Sequence, residues 1–222
     1  MKKEKIQIVY EDKDLIIVNK KAGLLTVSTD KEKEKTLFHE LLTFQKQKNK
    51  NNKIFIVHRL DYDTSGLVVF AKNEKVKKIM QDSWDSVKRE YVALVSGYVK
   101  PEKGIITSYL METSTFLVYS TQNKHQGKFA QTNYEVISQN RQYSLLNIDI
   151  KTGRKNQIRV HLNDINHPII GDKKYGNYQK NPCGRLCLHA YKLTFNHPMS
   201  NKLITIEIDI PREFINLSQK SI

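Results

Sequence analysis

The chain of 222 residues carries 37 lysines and arginines against 23 acidic residues, which gives a formal net charge of +14. This excess of positive charge favours a polyanionic partner, either a nucleic acid or an anionic membrane surface. Hydrophobic residues make up 39% of the chain, which is enough for one sizeable core. No apolar run approaches the roughly 18 residues of a transmembrane helix, and the charged start is unlike a signal or transit peptide. Two cysteines cannot build a disulfide framework. We therefore expect a cytoplasmic protein.

The spacing of apolar residues predicts strands and helices that are intermixed along the chain. In chain order, we predict strands at 6–10 and 15–19, a helix at 36–48, a strand at 66–71, a helix at 73–87, strands at 89–99, 131–138 and 142–151, a helix at 154–166, and strands at 187–196 and 202–210. The first two strands are predicted to form a hairpin, and Thr36 and Asn73 to be helix N-caps. The polar stretch 45–53 is predicted to be an exposed loop.

The order of these elements indicates the fold class. It shows neither regular βαβ alternation nor internal repeats, so we predict an α+β fold with a large mixed or antiparallel sheet. No linker rich in proline, glycine or serine divides the chain, and a single domain covering 1–222 is therefore expected.

A cluster of polar and charged residues at 58–65 lies between the apolar runs 54–57 and 67–71. A carboxylate close to a sheet, such as Asp61, needs a partner because burying an unpaired charge is costly. A functional loop and an ordinary solvated loop at a strand end are equally consistent with this pattern.

A second polar segment, TGRKNQIRVHL, occupies residues 152–162. If a helix begins after Gly153, its free amides favour an anion, and Arg154 and Arg159 add two guanidinium forks. An amphipathic helix with a basic face is the plainer alternative. Only seven of the 37 basic residues are arginines, which favours positions where the planar fork is needed and lysine cannot replace it.

Seven segments of the chain form a pattern when they are taken together. The most specific is HRLDYDTSGLVVFAK at 58–72. The others are VYEDKDLIIVNKKAGLLTVS, KREYVALVSG, the run Gly127–Tyr134, TGRKNQIRVHL, NHPIIGDKKYG and RLCLHAYKLTFNHP. In this order they resemble the RluA family of pseudouridine synthases over nearly the whole chain.

The resemblance implies the pseudouridine synthase fold, a large mixed and mostly antiparallel sheet flanked by helices and loops. It implies isomerisation of uridine to pseudouridine in ribosomal or transfer RNA, with no cofactor and no metal, because the reaction consumes no redox equivalent, water or nucleotide. Asp61 matches the catalytic aspartate, Arg159 the basic residue expected to pair with it, and Tyr91 the active-site tyrosine. An ionised aspartate can act as a nucleophile or stabilise a sugar cation.

The same resemblance implies RNA contacts from Arg59, Arg89, Arg154 and His58, with Arg59 filling or bracing the space that a flipped base leaves. Many relatives carry an N-terminal S4-like module, and none is expected here, so RNA binding is assigned to the catalytic domain itself, acting as a monomer. Asn156 stands where the family usually has histidine, and a hydrogen bond behind the site is expected to differ there.

A phosphotransferase of the haloacid dehalogenase class is an alternative, because Asp61 and Asp63 resemble its two-aspartate motif. That motif requires a further residue between the second aspartate and the threonine, whereas Thr64 follows Asp63 directly. A non-catalytic RNA-binding protein with the same fold is another alternative, and the intact Asp61, Tyr91 and Arg159 argue against it.

Cys183, Cys187 and His189 raise the further possibility of a zinc cluster. The alternation in LCLHAYKLTF predicts a strand at this point instead, so no metal site is expected. Both cysteines are therefore predicted to be reduced thiols.

Overall fold

The computed structural model describes residues 6–30, 32–176 and 181–219. Its strands are β1 Gln7–Glu11, β2 Leu15–Lys20, β3 Phe55–Ile56, β4 Ser65–Ala71, β5 Lys88–Ser96, β6 Lys103–Glu112, β7 Val118–Thr121, β8 Lys128–Gln139, β9 Tyr143–Ile150, β10 Leu188–Asn196 and β11 Leu203–Glu207. Its helices are α1 Leu37–Lys48, α2 Glu74–Asp82, α3 Gln157–Asp164 and α4 Arg212–Gln219, with a short 3₁₀ turn at Trp84–Ser86. The predicted α+β class is confirmed.

The chain divides into two compact units. Among the described residues, the first unit runs through Val87 and includes Lys192–Ile208, and the second consists of Lys88–Tyr191 and the segment from Asp209 onward. The boundary falls inside β10, so this strand contributes to both units. The single domain covering 1–222 stays a prediction. None of the helices in the described part of the chain is long and apolar enough to cross a membrane.

Strand β4 lies in the interior of the first unit, and all seven of its residues are buried. It pairs antiparallel with β2 along the whole length of β2, from Leu15 opposite Ala71 to Lys20 opposite Gly66. The predicted hairpin of β1 and β2 is confirmed. The unbroken apolar run of β4 suits a strand that is covered on both faces.

Both predicted N-caps are confirmed. The Thr36 hydroxyl accepts a hydrogen bond from the backbone N–H of His39 at 3.1 Å. The Asn73 Oδ1 accepts one from the backbone N–H of Val76 at 2.9 Å. These side chains satisfy amides that the first turn of a helix leaves without an intrahelical partner.

The helix predicted at 36–48 is confirmed as α1, and the prediction that 45–53 is an exposed loop is wrong for residues 45–48. Helix α1 continues to Lys48, and Gln45 is only 3% exposed. The Gln45 side-chain amide donates to Glu11 at 3.1 Å, so a tertiary contact holds a residue that composition alone assigns to a loop. Helix α2 ends at Asp82, earlier than predicted.

Five strands of the second unit form an antiparallel sheet in the order β5-β9-β8-β6-β7. The predicted strands that became β5, β8 and β9 are confirmed with small changes at their ends. The sequence analysis missed β6, β7 and α4. Strand β6 carries exposed apolar residues such as Ile105, which is 67% exposed, and it pairs with β8 over eight residue positions. The strand is therefore recognised by its pairing with β8 and not by an apolar pattern in the sequence.

Helix α3 begins at Gln157, three residues later than predicted (157 − 154), and every residue from Gln157 to Leu162 is buried. The basic face of the plainer alternative therefore does not form. The Gln157 side chain explains the helix start. Its Oε1 accepts from the Arg154 N–H at 3.0 Å and the Thr152 hydroxyl at 2.7 Å, and its Nε2 donates to the Gln131 carbonyl at 2.9 Å.

A polar contact crosses the interior of the second unit at His161, which has no exposed surface. One ring nitrogen, Nε2, hydrogen-bonds with the Ser108 hydroxyl, and the other, Nδ1, with the Thr132 hydroxyl, both at 2.9 Å. Burial lowers the pKa of His161 to about 4. The ring is therefore neutral in the folded protein at neutral pH, and it ties α3 to β6 and β8.

We expect His161 to make the folded protein less stable as the pH falls. In the unfolded chain the imidazole has its ordinary pKa of 6.5, whereas in the folded protein the pKa is about 4. The unfolded state binds the proton first, so the stability from this position is present above pH 6.5 and is lost as the pH falls towards 4. Denaturant unfolding across this range should show a steeper decline for the wild type than for His161→Gln.

The exposed His125 offers a matched control. His125→Gln should keep the wild-type decline, because it leaves the buried ring of His161 in place. The same decline in the wild type and His161→Gln would show that the buried ring is not held neutral.

Candidate active site

The polar segment between β3 and β4 holds Asp61 half-buried in the first unit. Backbone contacts fix the residues on both sides of it. The Thr26 hydroxyl donates to the Leu60 carbonyl at 2.7 Å and accepts from the Leu60 N–H at 3.2 Å. The Gly23 N–H donates to the Tyr62 carbonyl at 2.9 Å. Asp61 therefore stands on a loop whose position is set by the segment that follows β2.

A buried ammonium group holds the same loop. Lys20, the last residue of β2, is 1% exposed. Its Nζ donates to three backbone carbonyls, those of Lys21 at 3.0 Å, Leu24 at 2.7 Å and Tyr62 at 3.1 Å. Because an ammonium group has three N–H donors, these contacts use its full capacity and join the turn after β2 to the Asp61 loop.

The charge of Lys20 is set by two opposing effects. Burial lowers its pKa to about 8, and the nearby carboxylates of Asp61 and Asp63 act in the opposite direction. The group is therefore charged at neutral pH, and it places a positive charge beside the predicted catalytic carboxylate. Lys20 has no role among the predictions from sequence, although it lies in the NKKAG part of the resemblance.

The other predicted residues of this segment differ in their surroundings. The His58 ring stacks on Trp84 with centroids 4.2 Å apart, and its Nε2 accepts from the Val69 N–H at 3.1 Å. His58 therefore braces the start of the segment against β4. Arg59 is exposed, as is Tyr62, whose exposed fraction is 52%. These two side chains are accessible to solvent next to the loop.

In the second unit, Arg159 is held by an aspartate that the sequence analysis did not identify. Its Nε donates to Oδ2 of Asp172 at 2.8 Å, and its Nη2 to Oδ1 at 2.7 Å. The two side chains are 8% and 0% exposed, and the Tyr175 ring centre lies 5.3 Å from the guanidinium carbon. This bidentate pair fixes the orientation of the fork. The pairing of Arg159 with Asp61 stays a prediction.

The segment NHPIIGDKKYG explains how Asp172 reaches this position. The preceding Gly171 has φ +77°, and a Cβ there would lie 2.0 Å from the Arg185 carbonyl oxygen, so only glycine fits. The Asp172 Oδ1 also accepts from the backbone N–H groups of Lys174 at 2.9 Å and Tyr175 at 3.0 Å. The motif is visible in the sequence, but only the fold shows that its carboxylate pairs with α3.

The remaining predicted site residues also belong to the second unit. Tyr91 is half-buried on β5, opposite Ile148 of β9. Arg89 lies two residues earlier on the same face of β5 and is 4% exposed. Arg154 is exposed just before α3, and its Nε donates to the Phe129 carbonyl at 3.0 Å. The sequence analysis gave Arg89 and Arg154 the same role, but burial separates them.

Among the described residues, Asp12, Asp14 and His197 form the one group with the spacing of metal ligands. The His197 Nε2 donates to Oδ2 of Asp12 at 2.9 Å. Its Nδ1 accepts from two backbone N–H groups that follow it in the chain, both at 3.2 Å. Both ring nitrogens therefore serve structural hydrogen bonds. The zinc alternative at 183–189 does not form such a group in the described part of the chain.

Comparisons with known proteins agree with the motifs. A family model described as RNA pseudouridylate synthase matches residues 14–164. Ribosomal large subunit pseudouridine synthase D of Neisseria meningitidis is 35% identical over 226 residues, which cover 96% of this chain and 60% of that protein. The tRNA pseudouridine synthase C of Haemophilus ducreyi is 35% identical over 235 residues, which cover 90% of this chain and 89% of that protein.

The fold agrees as well. A solved structure, human RNA Pseudouridylate Synthase Domain Containing 4, superposes with a TM-score of 0.79 at 23% identity, covering 94% of this chain and 90% of that one. The chain belongs to the RNA pseudouridylate synthase family. The predicted family and its pseudouridine synthase fold are confirmed, and the chain spans 60% of the length of the Neisseria relative.

We expect Lys20 to make stability depend on pH on the alkaline side. The folded protein releases this proton near pH 8, whereas the unfolded lysine has its ordinary pKa of 10.5. The unfolded state binds more protons between these values, so the contribution of this position to the free energy of unfolding rises with pH there, by on the order of 3 kcal/mol. Denaturant unfolding from neutral pH upward should show this rise in the wild type and not in Lys20→Met.

Lys13 is an exposed lysine of the same unit, and Lys13→Met is the control that should retain the wild-type pH dependence. If Lys20→Met also retains it, the ammonium does not titrate in the way that its burial requires.

Proposed function

We propose that this protein isomerises specific uridines to pseudouridine in structured RNA, either large-subunit ribosomal RNA or transfer RNA. Membership of the family supports the reaction class. The observation that carries the residue assignment is the loop of Asp61, which is fixed by backbone hydrogen bonds and lies beside the buried ammonium of Lys20. The printed names of the two relatives support the two classes of RNA.

In this proposal, Asp61 is the catalytic carboxylate. The reaction breaks the bond between N1 of uracil and C1′ of ribose, turns the base, and forms a bond between C5 and C1′, after which C5 loses its proton and N1 takes one up. A carboxylate can serve the sugar carbon as a nucleophile or as a stabilising anion. The positive charge of Lys20 lies beside this carboxylate.

Tyr91 and Arg159 take the roles that the family pattern gives them. Tyr91 is half-buried on β5, opposite Ile148 of β9, where one ring face can meet a uracil while the strand holds its backbone. Arg159 presents a guanidinium whose Nε and Nη2 are already engaged by Asp172. The fork is therefore oriented before the substrate arrives, which reduces the ordering that binding requires.

Binding to RNA is assigned to the protein's own basic surface. The exposed Arg59 and Arg154 suit contacts with phosphates, and Arg59 is placed beside Asp61 in the chain, where it can brace the space that the extruded base leaves. His58 and Arg89 complete the set of proposed RNA-binding residues. The protein is proposed to act as a cytoplasmic monomer without a metal.

We expect Asp61→Asn to abolish pseudouridine formation while leaving the fold and RNA binding largely intact. The substitution is nearly isosteric but removes the charge that the chemical step uses. Release of tritium from RNA labelled at C5 of uridine measures turnover, and circular dichroism and RNA binding measure the rest. Turnover at the wild-type rate, after deamidation back to aspartate is excluded by mass spectrometry, would remove Asp61 from the chemistry.

Asp63 provides the matched control, because it is also half-buried and contributes to the same field at Lys20. Asp63→Asn should be clearly milder than Asp61→Asn. Equal loss at the two positions would favour the two-aspartate phosphotransferase, which an assay for phosphate release would then test.

We expect Arg159→Lys to lose most of the activity although the charge is kept. Lysine cannot make the two parallel bonds to Asp172, so its ammonium is not held in one orientation and a buried carboxylate loses a partner. Single-turnover pseudouridine formation with saturating enzyme should fall at least about tenfold, which corresponds to about 1.4 kcal/mol of barrier. The exposed Arg154 is the control, and Arg154→Lys should change this rate much less. A larger effect at Arg154 would reverse the assignment.

A further inference from the structure

Arg89 differs from every other buried cation of the described residues in its contacts. It is 4% exposed, yet neither its Nε nor its Nη2 has a hydrogen-bond acceptor among these residues. Arg159, at 7% exposed, has the bidentate carboxylate of Asp172, and Lys20, at 1% exposed, has three carbonyls. The Nε and Nη2 donors of Arg89 are therefore buried without an acceptor from the described part of the protein.

This arrangement is unfavourable in the absence of an anion. A guanidinium cannot avoid the cost by losing its proton, because its pKa is too high. A buried charge without a partner is strongly destabilising, so the position is better explained by a counter-ion that arrives from outside the chain than by a contribution to stability.

The third nitrogen of Arg89 shows where such an anion would enter. A Cβ at Gly153 would lie 3.0 Å from Nη1 of Arg89, and Gly153 itself is exposed. Gly153 is not in the left-handed backbone region, so conformation does not require a glycine at this position. Its missing side chain instead leaves the surface above Nη1 uncovered, and a bulky group can approach there.

The neighbouring cations already have partners, which distinguishes Arg89 from an ordinary basic patch. Lys151 pairs with Asp149 at 2.6 Å, Lys155 pairs with Glu112, and Arg154 donates to a backbone carbonyl. Arg89 supplies the unused donors.

The chemistry of the site suits a phosphate. The guanidinium fork matches phosphate oxygens in geometry, and its hydrogen bonds to them are charge-assisted. In RNA, phosphates of the backbone are the anions available in every nucleotide. Arg89 shares a face of β5 with Tyr91, two residues along the strand. A nucleotide whose base lies at Tyr91 therefore has its own or an adjacent phosphate close to Arg89.

We infer that Arg89 and Gly153 form a binding subsite for the phosphodiester group that flanks the target uridine. This inference rests on the proposed function, since the role of Tyr91 defines which phosphate is bound. On this inference, Arg89 differs from the surface arginines. Its buried charge lowers the stability of the free protein and gains a counter-ion when RNA binds.

The first experiment compares the stability of the protein without RNA. Arg89→Met keeps much of the side-chain volume and removes the charge. We expect its melting temperature in chloride buffer to equal or exceed that of the wild type. Inorganic phosphate at constant ionic strength should raise the wild-type melting temperature and have a smaller effect on Arg89→Met. A melting temperature well below that of the wild type, with an unchanged response to phosphate, would make Arg89 a structural residue and overturn the inference.

The second experiment measures RNA binding across a salt series, using unmodified ribosomal and transfer RNA transcripts. Loss of one phosphate contact should reduce the slope of log affinity against log salt by about 0.7–0.9. Arg89→Met should show this reduction. Gly153→Ala, which keeps the charge and covers Nη1, should weaken binding in the same direction. Unchanged slope and affinity in both variants would overturn the inference even if Arg89→Met proves difficult to fold.

Failure of the proposed function has a different signature. If no RNA gains pseudouridine, but phosphate still stabilises the wild type through Arg89, then the anion site stands and the reaction does not. If pseudouridine forms at the wild-type rate with Arg89→Met at low RNA concentration, the reaction stands and the subsite is refuted. Lys124→Met, at an exposed lysine of the same unit that has no assigned role, is the control for a general loss of positive charge.

Discussion

The loop that carries Asp61 depends on one buried ammonium group. Lys20 donates to carbonyls of two segments that are far apart in the sequence, the turn after β2 and the loop before β4. Water cannot replace these contacts easily, because the group is 1% exposed. The antiparallel pairing of β2 with β4 places Lys20 opposite Gly66, at the point where the loop enters the sheet. Sheet register therefore sets the position of the predicted catalytic carboxylate.

Three buried cations show how the protein uses its interior charges. Backbone carbonyls accept from Lys20 and the carboxylate of Asp172 accepts from Arg159, whereas Nε and Nη2 of Arg89 have no acceptor among the described residues. In the first two cases, hydrogen bonds fix the orientation of the charged group and offset the free energy that its desolvation requires. In the third, the missing partner itself is the evidence for a ligand. Most of the 37 basic residues are not of this kind, since lysines on the surface remain solvated.

Helix α3 shows why local pattern reading reaches a limit. The sequence predicts a helix from 154, and an amphipathic helix with a basic face is the plainer alternative, but the helix begins at Gln157 and all of its residues through Leu162 are buried. Its polar residues are accommodated because each has a specific partner: His161 has two hydroxyls, Gln157 has groups of β8 and the preceding loop, and Arg159 has Asp172. Periodicity records only which residues are apolar, so it cannot recognise a polar residue that is buried with a partner from another strand.

The sequence by itself determined the family, the α+β class, both helix N-caps, the opening hairpin and the identity of the candidate residues, because these depend on local chemistry or on ordered motifs. It could not determine that Asp172 holds Arg159, that Lys20 lies under the Asp61 loop, or that Arg89 is buried while Arg154 is exposed. Those facts join residues 13 to 42 positions apart in the chain or depend on what covers a side chain. Only tertiary packing decides them, because burial and partner, rather than residue type, determine what a charged group can do.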